Sequence, residues 1–220
     1  YLAAQRVLGY WAIVGLGGSE DMVALLMGPF ILSCLFTAVF IMPILAKFMP
    51  VKWLWFLSFV IIATGLPGMY PIAASNLTTP LLPAAWNESW MAFLDLDVAG
   101  ANKVLLAIIL FLYCGVGQGI QYVVTVALIG EIIDLDEQTS GERREAVYNG
   151  VSGIAFKAGY AFSLGLAGLS MHFLGNSVEH PLGIYLVGPF AGLFGLFGIL
   201  IVWRYPVLNV TPEKAADLSP

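Results

Sequence analysis

Apolar residues run along this chain in blocks too long for any globular core. Six stretches, at roughly 1–18, 22–46, 53–74, 103–129, 147–174 and 183–204, hold almost no charge, and the segments between them collect nearly all the acids and bases. A helix needs about 20 apolar residues to cross a hydrocarbon core about 30 Å thick, because every backbone amide must be satisfied within the segment. The pattern therefore predicts six transmembrane helices, the first being the weakest because it is short and carries Arg6. The fold class is all-α integral membrane, with one six-helix bundle over 1–204, a long outer loop at 75–102 and a tail at 205–220. Trp11, Trp53, Trp55, Trp86, Trp90 and Trp203 stand near the ends of the stretches, where indole rings anchor at the membrane interface.

Alternating topology gives one set of loops Lys47, Lys52, Arg143, Arg144, Arg204 and Lys214, and the other set only Lys103. The positive-inside rule puts both ends of the chain in the cytoplasm of a multi-pass protein of the plasma or inner cell membrane. The outer side then receives Glu20, Asp21, Glu88, Asp95, Asp97 and Glu179. In the outer loop, Trp86, Trp90, Phe93 and Leu94 are spaced as on one helical face, which predicts a helix lying along the outer interface. Asn76-Leu-Thr and Asn87-Glu-Ser have the form of glycosylation acceptors, a pattern short enough to arise by chance.

Composition narrows the function classes. Of 220 residues, 60% are apolar and 10% charged, against about 25% charged in soluble chains, which excludes a water-soluble globule and makes the lipid bilayer the first partner. A net charge of −5 with nine Lys+Arg leaves no basic stripe to neutralise phosphates, so no nucleic acid is expected as partner. Cys34 and Cys114 lie far apart inside apolar runs, without metal-ligand or redox spacing, and read as small buried hydrophobes. The chain opens on Tyr1, directly in an apolar segment, so it is expected to be part of something longer.

The polar residues inside the spans carry the chemistry. Lys157 falls roughly 14 Å into the fifth span if that helix begins near Tyr148, close to the bilayer midplane. A charge there costs about 2.5–3.5 kcal/mol on insertion scales, so the lysine should face a cavity or a carboxylate. Its helical neighbours Gly150, Gly153, Ala161, Gly165 and Gly168 form a small-residue face suited to close helix packing. A structural ion pair and a solute or coupling-ion residue both fit this setting. In the fourth span, Gln118, Gln121, Tyr122 and Thr125 share a helical stripe after the run Gly115, Gly117, Gly119, which reads as flexible. Amides, a phenol and a hydroxyl suit sugar hydroxyls and the apolar face of a sugar ring; interhelical hydrogen bonds are the structural alternative.

Beyond the fourth span comes Glu131-Ile-Ile-Asp134-Leu-Asp136-Glu137, then Gln-Thr-Ser-Gly-Glu-Arg-Arg-Glu. Thr139 with Glu142 has the spacing of a capping box that would start the fifth helix or a short helix before it. Glu131 and Asp134 share a face, with Arg143 and Arg144 just beyond, so charge pairs here suit a cytoplasmic gate and equally suit a solvated loop. Arg6, near the inner end of its span, reads as structural because snorkelling is easy there.

The stretch 131–168, EIIDLDEQTSGERREAVYNGVSGIAFKAGYAFSLGLAG, resembles the tenth-to-eleventh helix region of the glycoside–pentoside–hexuronide:cation symporters, the melibiose permease family. The pattern is an acidic helix end, a basic pair, then an aromatic and small segment reaching a lysine followed by small residues. The resemblance implies the C-terminal half of a twelve-helix, major-facilitator-type transporter, with six spans arranged as three plus three in inverted topology. It places the family's eleventh-helix lysine, near the sugar and cation sites, on Lys157, and a sugar-stacking tryptophan on Tyr122. It also puts the charged cytoplasmic gate on Glu131, Asp134 and Arg143, and a cavity-lining polar position on Ser152. Tyr for Trp alters the stacking face, and the loop Lys47-Phe-Met-Pro-Val-Lys52 is a faint version of the family's inter-helix turn. The carboxylates that hold the coupling cation in this family are on a second helix that this chain lacks.

The function implied is cation-coupled symport, with sodium or a proton, of a sugar, glycoside or sugar acid by alternating access, without bond chemistry, metal or cofactor. The cation site would lie mainly in an absent N-terminal six-helix half, and relatives that move lysolipids are the alternative within the fold. From another class, a membrane-embedded prenyltransferase would hold magnesium and diphosphate on Glu131-x-x-Asp134-x-Asp136, but the second acidic cluster it needs is missing from the other cytoplasmic loops.

Overall fold

The computed structural model describes residues 7–19 and 21–204, which fold entirely into helices and their connections. Helix α1 covers 7–15 and ends in a π-helical turn at Trp11–Gly15. Five helices are long and apolar enough to cross a membrane: α2 Met22–Phe48, α3 Val51–Ala74, α5 Val98–Ser140, α6 Glu145–Leu174 and α7 Leu182–Arg204. A shorter helix, α4 Ala84–Leu94, sits in the connection between α3 and α5. The first expected span, 1–18, is thus seen only from residue 7 onward; residues 1–6, Arg6 included, and the tail 205–220 with Lys214 lie outside the described residues.

Helix α5 is the axis of the bundle, with α2 and α3 packed against it and α7 packed against α3. Small residues set those distances. A Cβ at Gly115 would lie 2.6 Å from the Phe30 carbonyl oxygen, and one at Gly119 would lie 2.5 Å from that of Cys34, so both glycines admit the backbone of α2. Gly117 makes room for the side chains of Ile61 and Ile62 of α3. The run Gly115, Gly117, Gly119, expected to be flexible, lies inside unbroken helix and serves close approach, because a side-chain-free face lets two backbones gain dispersion contact where lipid offers no hydrophobic drive. Hydrogen bonds across the same interfaces run from Ser33 Oγ to the Leu112 carbonyl (2.7 Å) and between Thr64 Oγ1 and the Tyr113 hydroxyl (2.9 Å).

Trp11 departs from its expected place at the interface. It is fully buried among Leu8, Leu26, Phe30, Met69 and Phe111, and its indole N–H donates to the Met69 carbonyl at 3.3 Å. The ring lies 6.1 Å from that of Phe111, so an indole with its one donor satisfied serves as a core residue here. Trp53 and Trp203 remain exposed at the bundle edge.

The outer loop is more ordered than a loop. Helix α4 buries Leu94 and Asn87 and packs Trp90 and Met91 on the main core, while Trp86 and Phe93 stay exposed on its flank. The expected apolar face is therefore split, half of it turned to protein. Asn87 donates to Met91 Sδ at 3.1 Å with its side chain buried, so this acceptor motif is not presented for modification, whereas Asn76 is exposed. Helix α5 begins at Val98, inside the stretch expected to be loop, because Asp97 caps it by accepting from the Gly100 amide at 2.8 Å.

One turn later, Asn102 is buried and makes three hydrogen bonds: Nδ2 to the Leu77 (2.8 Å) and Thr79 (2.9 Å) carbonyls, and Oδ1 from the Leu81 amide (3.2 Å). It clamps the loop to α5. Asn102→Ala is expected to destabilise the protein by about 2–3 kcal/mol, since loop groups lose their partners. It should also open residues 75–83 to limited proteolysis; an unchanged melting temperature and cleavage pattern would remove the clamp.

Candidate functional site

The charged and polar candidates all lie on α5, on α6 and on the turn between them. Helix α5 runs for 43 residues, about 64 Å, roughly twice the thickness of a hydrocarbon core. The acidic segment is thus the last three turns of a continuous helix. Its end is set by Gly141 at φ 74°, a left-handed conformation that favours glycine, whose amide closes back on the Glu137 carbonyl. Thr139 is consequently no N-cap: its hydroxyl donates back to the Leu135 carbonyl at 2.6 Å, and α6 starts at Glu145 after Arg144 with no side-chain cap. The expected capping box is corrected on that ground.

Within the turn, Arg143 gathers carboxylates from both helices. It reaches Glu137 at 2.8 Å, Asp134 at 3.4 Å and Glu145 at 3.5 Å, while Arg144 pairs with Glu142 at 3.2 Å. The hydrogen bond that Arg143 donates to Glu137, together with the Glu137 charge, pushes the guanidinium further above its ordinary range. These groups are solvent-exposed, so each pair alone contributes little, and the feature of interest is one cation joining the end of α5 to the start of α6. Of the expected gate residues, Asp134 and Arg143 are brought together and Glu131 is not; one of its carboxylate oxygens is buried and accepts no hydrogen bond from the described residues. Glu137 and Glu145 were not singled out from sequence. Glu131, Asp134 and Asp136 do not converge as a metal cluster, and no such cluster occurs among the described residues.

The stripe on α5 also divides. Gln118 is 4% exposed, held at the level where the three glycines draw α2 and α3 in, and its Oε1 accepts no hydrogen bond from the described residues. One turn further on the neighbours diverge. Gln121 is half-buried, Tyr122 is 54% exposed, and Thr125 is exposed with its hydroxyl returned to the Gln121 carbonyl at 2.7 Å.

Helix α6 stands away from the bundle over most of its length. Only Ala167 and Ser170 are buried, near its far end, where Ser170 Oγ donates to the Gly183 carbonyl of α7 at 2.7 Å. Lys157 is exposed, Ser152 is half-buried, and Lys157 makes no hydrogen bond or ion pair with the described residues. A Cβ added at Gly150, Gly153, Gly165 or Gly168 would meet nothing within 4 Å. The structure thus leaves α6 with an open small-residue face and an exposed lysine.

An all-helical bundle with five helices long and apolar enough to cross a membrane among the described residues is that of a multi-pass membrane protein. A family model described as MFS/sugar transport protein matches residues 8–207, and the chain belongs to that family, one of transport proteins rather than enzymes. An uncharacterized symporter of Synechocystis sp. is 28% identical to it over 132 residues, covering 54% of this chain and 24% of the relative. The chain thus spans about a quarter of the length of the curated relative it matches. No solved structure matches it.

Proposed function

We propose that this chain is the C-terminal six-helix half of a twelve-helix secondary active transporter that carries a sugar, glycoside or sugar acid together with a cation. The observation that carries the reading is the family match over almost the whole described chain, and the open faces of α5 and α6 support it. Tyr122, Gln121 and Thr125 present a ring, an amide and a hydroxyl from α5, and Lys157 with Ser152 presents an ammonium and a hydroxyl from α6. In this reading, those two faces, together with Gln118 at the level of the glycine contacts, border the solute path on the side where the absent half docks. Both ends of the chain are cytoplasmic by loop charge, in the plasma or inner membrane, and six spans form an inverted three-plus-three repeat. The Arg143 cluster with Glu131 then lies on the cytoplasmic side, where its release would accompany inward opening.

Uptake of labelled glycosides and hexuronates by the full-length protein in proteoliposomes, under a sodium or a proton gradient, tests the reading. Accumulation of one of them in step with a cation gradient is expected. Tyr122→Ala should weaken that solute's binding roughly tenfold, in line with the loss of an aromatic contact and its buried area, while Tyr122→Phe and Tyr122→Trp keep most of it. Facilitated flux with no dependence on either gradient would overturn the coupling; unchanged binding in a well-expressed Tyr122→Ala protein would remove the tyrosine from the path.

A further inference from the structure

Helix α4 lies between two helices that cross the membrane, α3 ending at Ala74 and α5 beginning at Val98, so it sits near the height where both meet the headgroups. Beside it Leu82, Ala85, Trp86, Ser89 and Trp90 line a recess of about 530 Å³, within the roughly 300–1,000 Å³ of sites that take small molecules. One wall is fixed. The Trp90 indole N–H donates to the Ala101 carbonyl of α5 at 3.2 Å, and the Phe93 ring stacks on the indole at a centroid separation of 5.9 Å. Trp86, one turn earlier, is 71% exposed, and its N–H donates to no described residue.

The polar chemistry of this lining is sparse. The Ser89 hydroxyl donates to the Ala85 carbonyl at 3.2 Å, so the side chains offer one free N–H and the lone pairs of one hydroxyl. A sugar ring would leave most of its hydroxyls unpaired against this wall, whereas an ester carbonyl and a hydrocarbon chain leave nothing unpaired. Charge narrows the occupant further. No Lys or Arg occurs between Lys52 and Lys103, while Glu88, Asp95 and Asp97 are exposed on and just after α4. The Lys103 ammonium donates to the Gly15 carbonyl at 3.4 Å. Fixed negative charge acts over about 10 Å at 0.1 M salt, so it repels an anionic headgroup and attracts one that ends in an ammonium. We propose that this recess binds a zwitterionic phospholipid of the adjacent leaflet. The Trp86 N–H donates to an ester carbonyl, and Leu82, Ala85 and the Trp90 face carry the upper acyl chain. The terminal ammonium lies among the acids, against the exposed face of Trp86. The site depends on the chain spanning a membrane and on neither transport nor which side is cytoplasmic, so its failure and that of the transport reading are separate outcomes.

Photolabelling of the full-length protein measures the preference, in vesicles of phosphatidylethanolamine and phosphatidylglycerol in equal parts. A trace of one lipid or the other carries a diazirine high on its acyl chain, and labelled peptides are mapped by mass spectrometry. The phosphatidylethanolamine probe is expected to label residues 82–90 about fivefold more than the phosphatidylglycerol probe, and Trp86→Ala should cut that labelling about fivefold. Trp86 is exposed, so its replacement leaves the core intact, and unchanged labelling of the exposed apolar face of α7 checks that the variant is folded and inserted. Equal labelling by both probes would reduce the recess to bulk bilayer contact, and unaltered labelling in Trp86→Ala would mean that the indole holds no lipid; either result overturns the site. Suppression of the labelling by a millimolar glycoside would assign the recess to solute and equally overturn the lipid proposal.

Discussion

Lys157→Ala and Lys157→Gln in the full-length protein are expected to abolish uphill accumulation of solute. Lys157 lies twelve residues after the start of α6 at Glu145, about 18 Å along the helix. Where α6 crosses a bilayer, an ammonium near the midplane costs about 2.5–3.5 kcal/mol or more unless water or a carboxylate receives it. No acid within the described residues bonds it; the acids nearest in sequence are gathered at the Arg143 turn or paired there. The partner carboxylate is therefore placed by this hypothesis in the absent half, beside the cation, so that cation arrival competes with the ammonium and couples the two events. Solute binding at equilibrium should fall less than accumulation, which separates coupling from recognition. Purified Lys157→Ala protein that concentrates solute with unaltered cation dependence would make the lysine structural.

The spans were the most legible part of the sequence, because a bilayer demands some twenty apolar residues in a row and little else does. Five of the six apolar stretches coincide with helices long enough to cross. Where α5 ends was misread for a local reason. Thr139, Gly141 and Glu142 carry both a capping-box spacing and a C-terminal glycine, and only the geometry decides between them: Gly141 adopts positive φ, which ends a helix before it and leaves Thr139 in the last turn. Hydrophobic periodicity could not have told buried from open polar positions on α5, since Gln118 and Tyr122 lie on one stripe and differ only in whether neighbouring helices close over that level. Asn102 gave no signal at all. Its partners lie 21 to 25 residues earlier in a connection, and no spacing rule links a loop carbonyl to a side chain that far away.

The glycines divide into two classes with opposite expected behaviour, although sequence treats them alike. Gly119 touches α2 so closely that a Cβ would stand 2.5 Å from the Cys34 carbonyl oxygen and 2.9 Å from Thr37 Cβ, neither of which is the free end of a flexible side chain. Helices α2 and α5 would have to part. Gly119→Ala recovers about 1 kcal/mol of helix propensity, but overpacking costs about 1–3 kcal/mol, so a modest net loss is expected. Gly119→Leu places several more atoms against backbone and should prevent the full-length protein from reaching a folded, monodisperse state in detergent. Gly165 and Gly153 on α6 meet nothing within 4 Å in this chain. If α6 faces the absent half proposed above, Gly153→Leu should leave this chain's own thermal stability unchanged when it is purified alone and folded, yet impair transport by the whole protein. A Gly119→Leu protein with wild-type melting behaviour would mean that α2 and α5 do not approach as described, and the assignment of α5 as the axis of the bundle would fall with it.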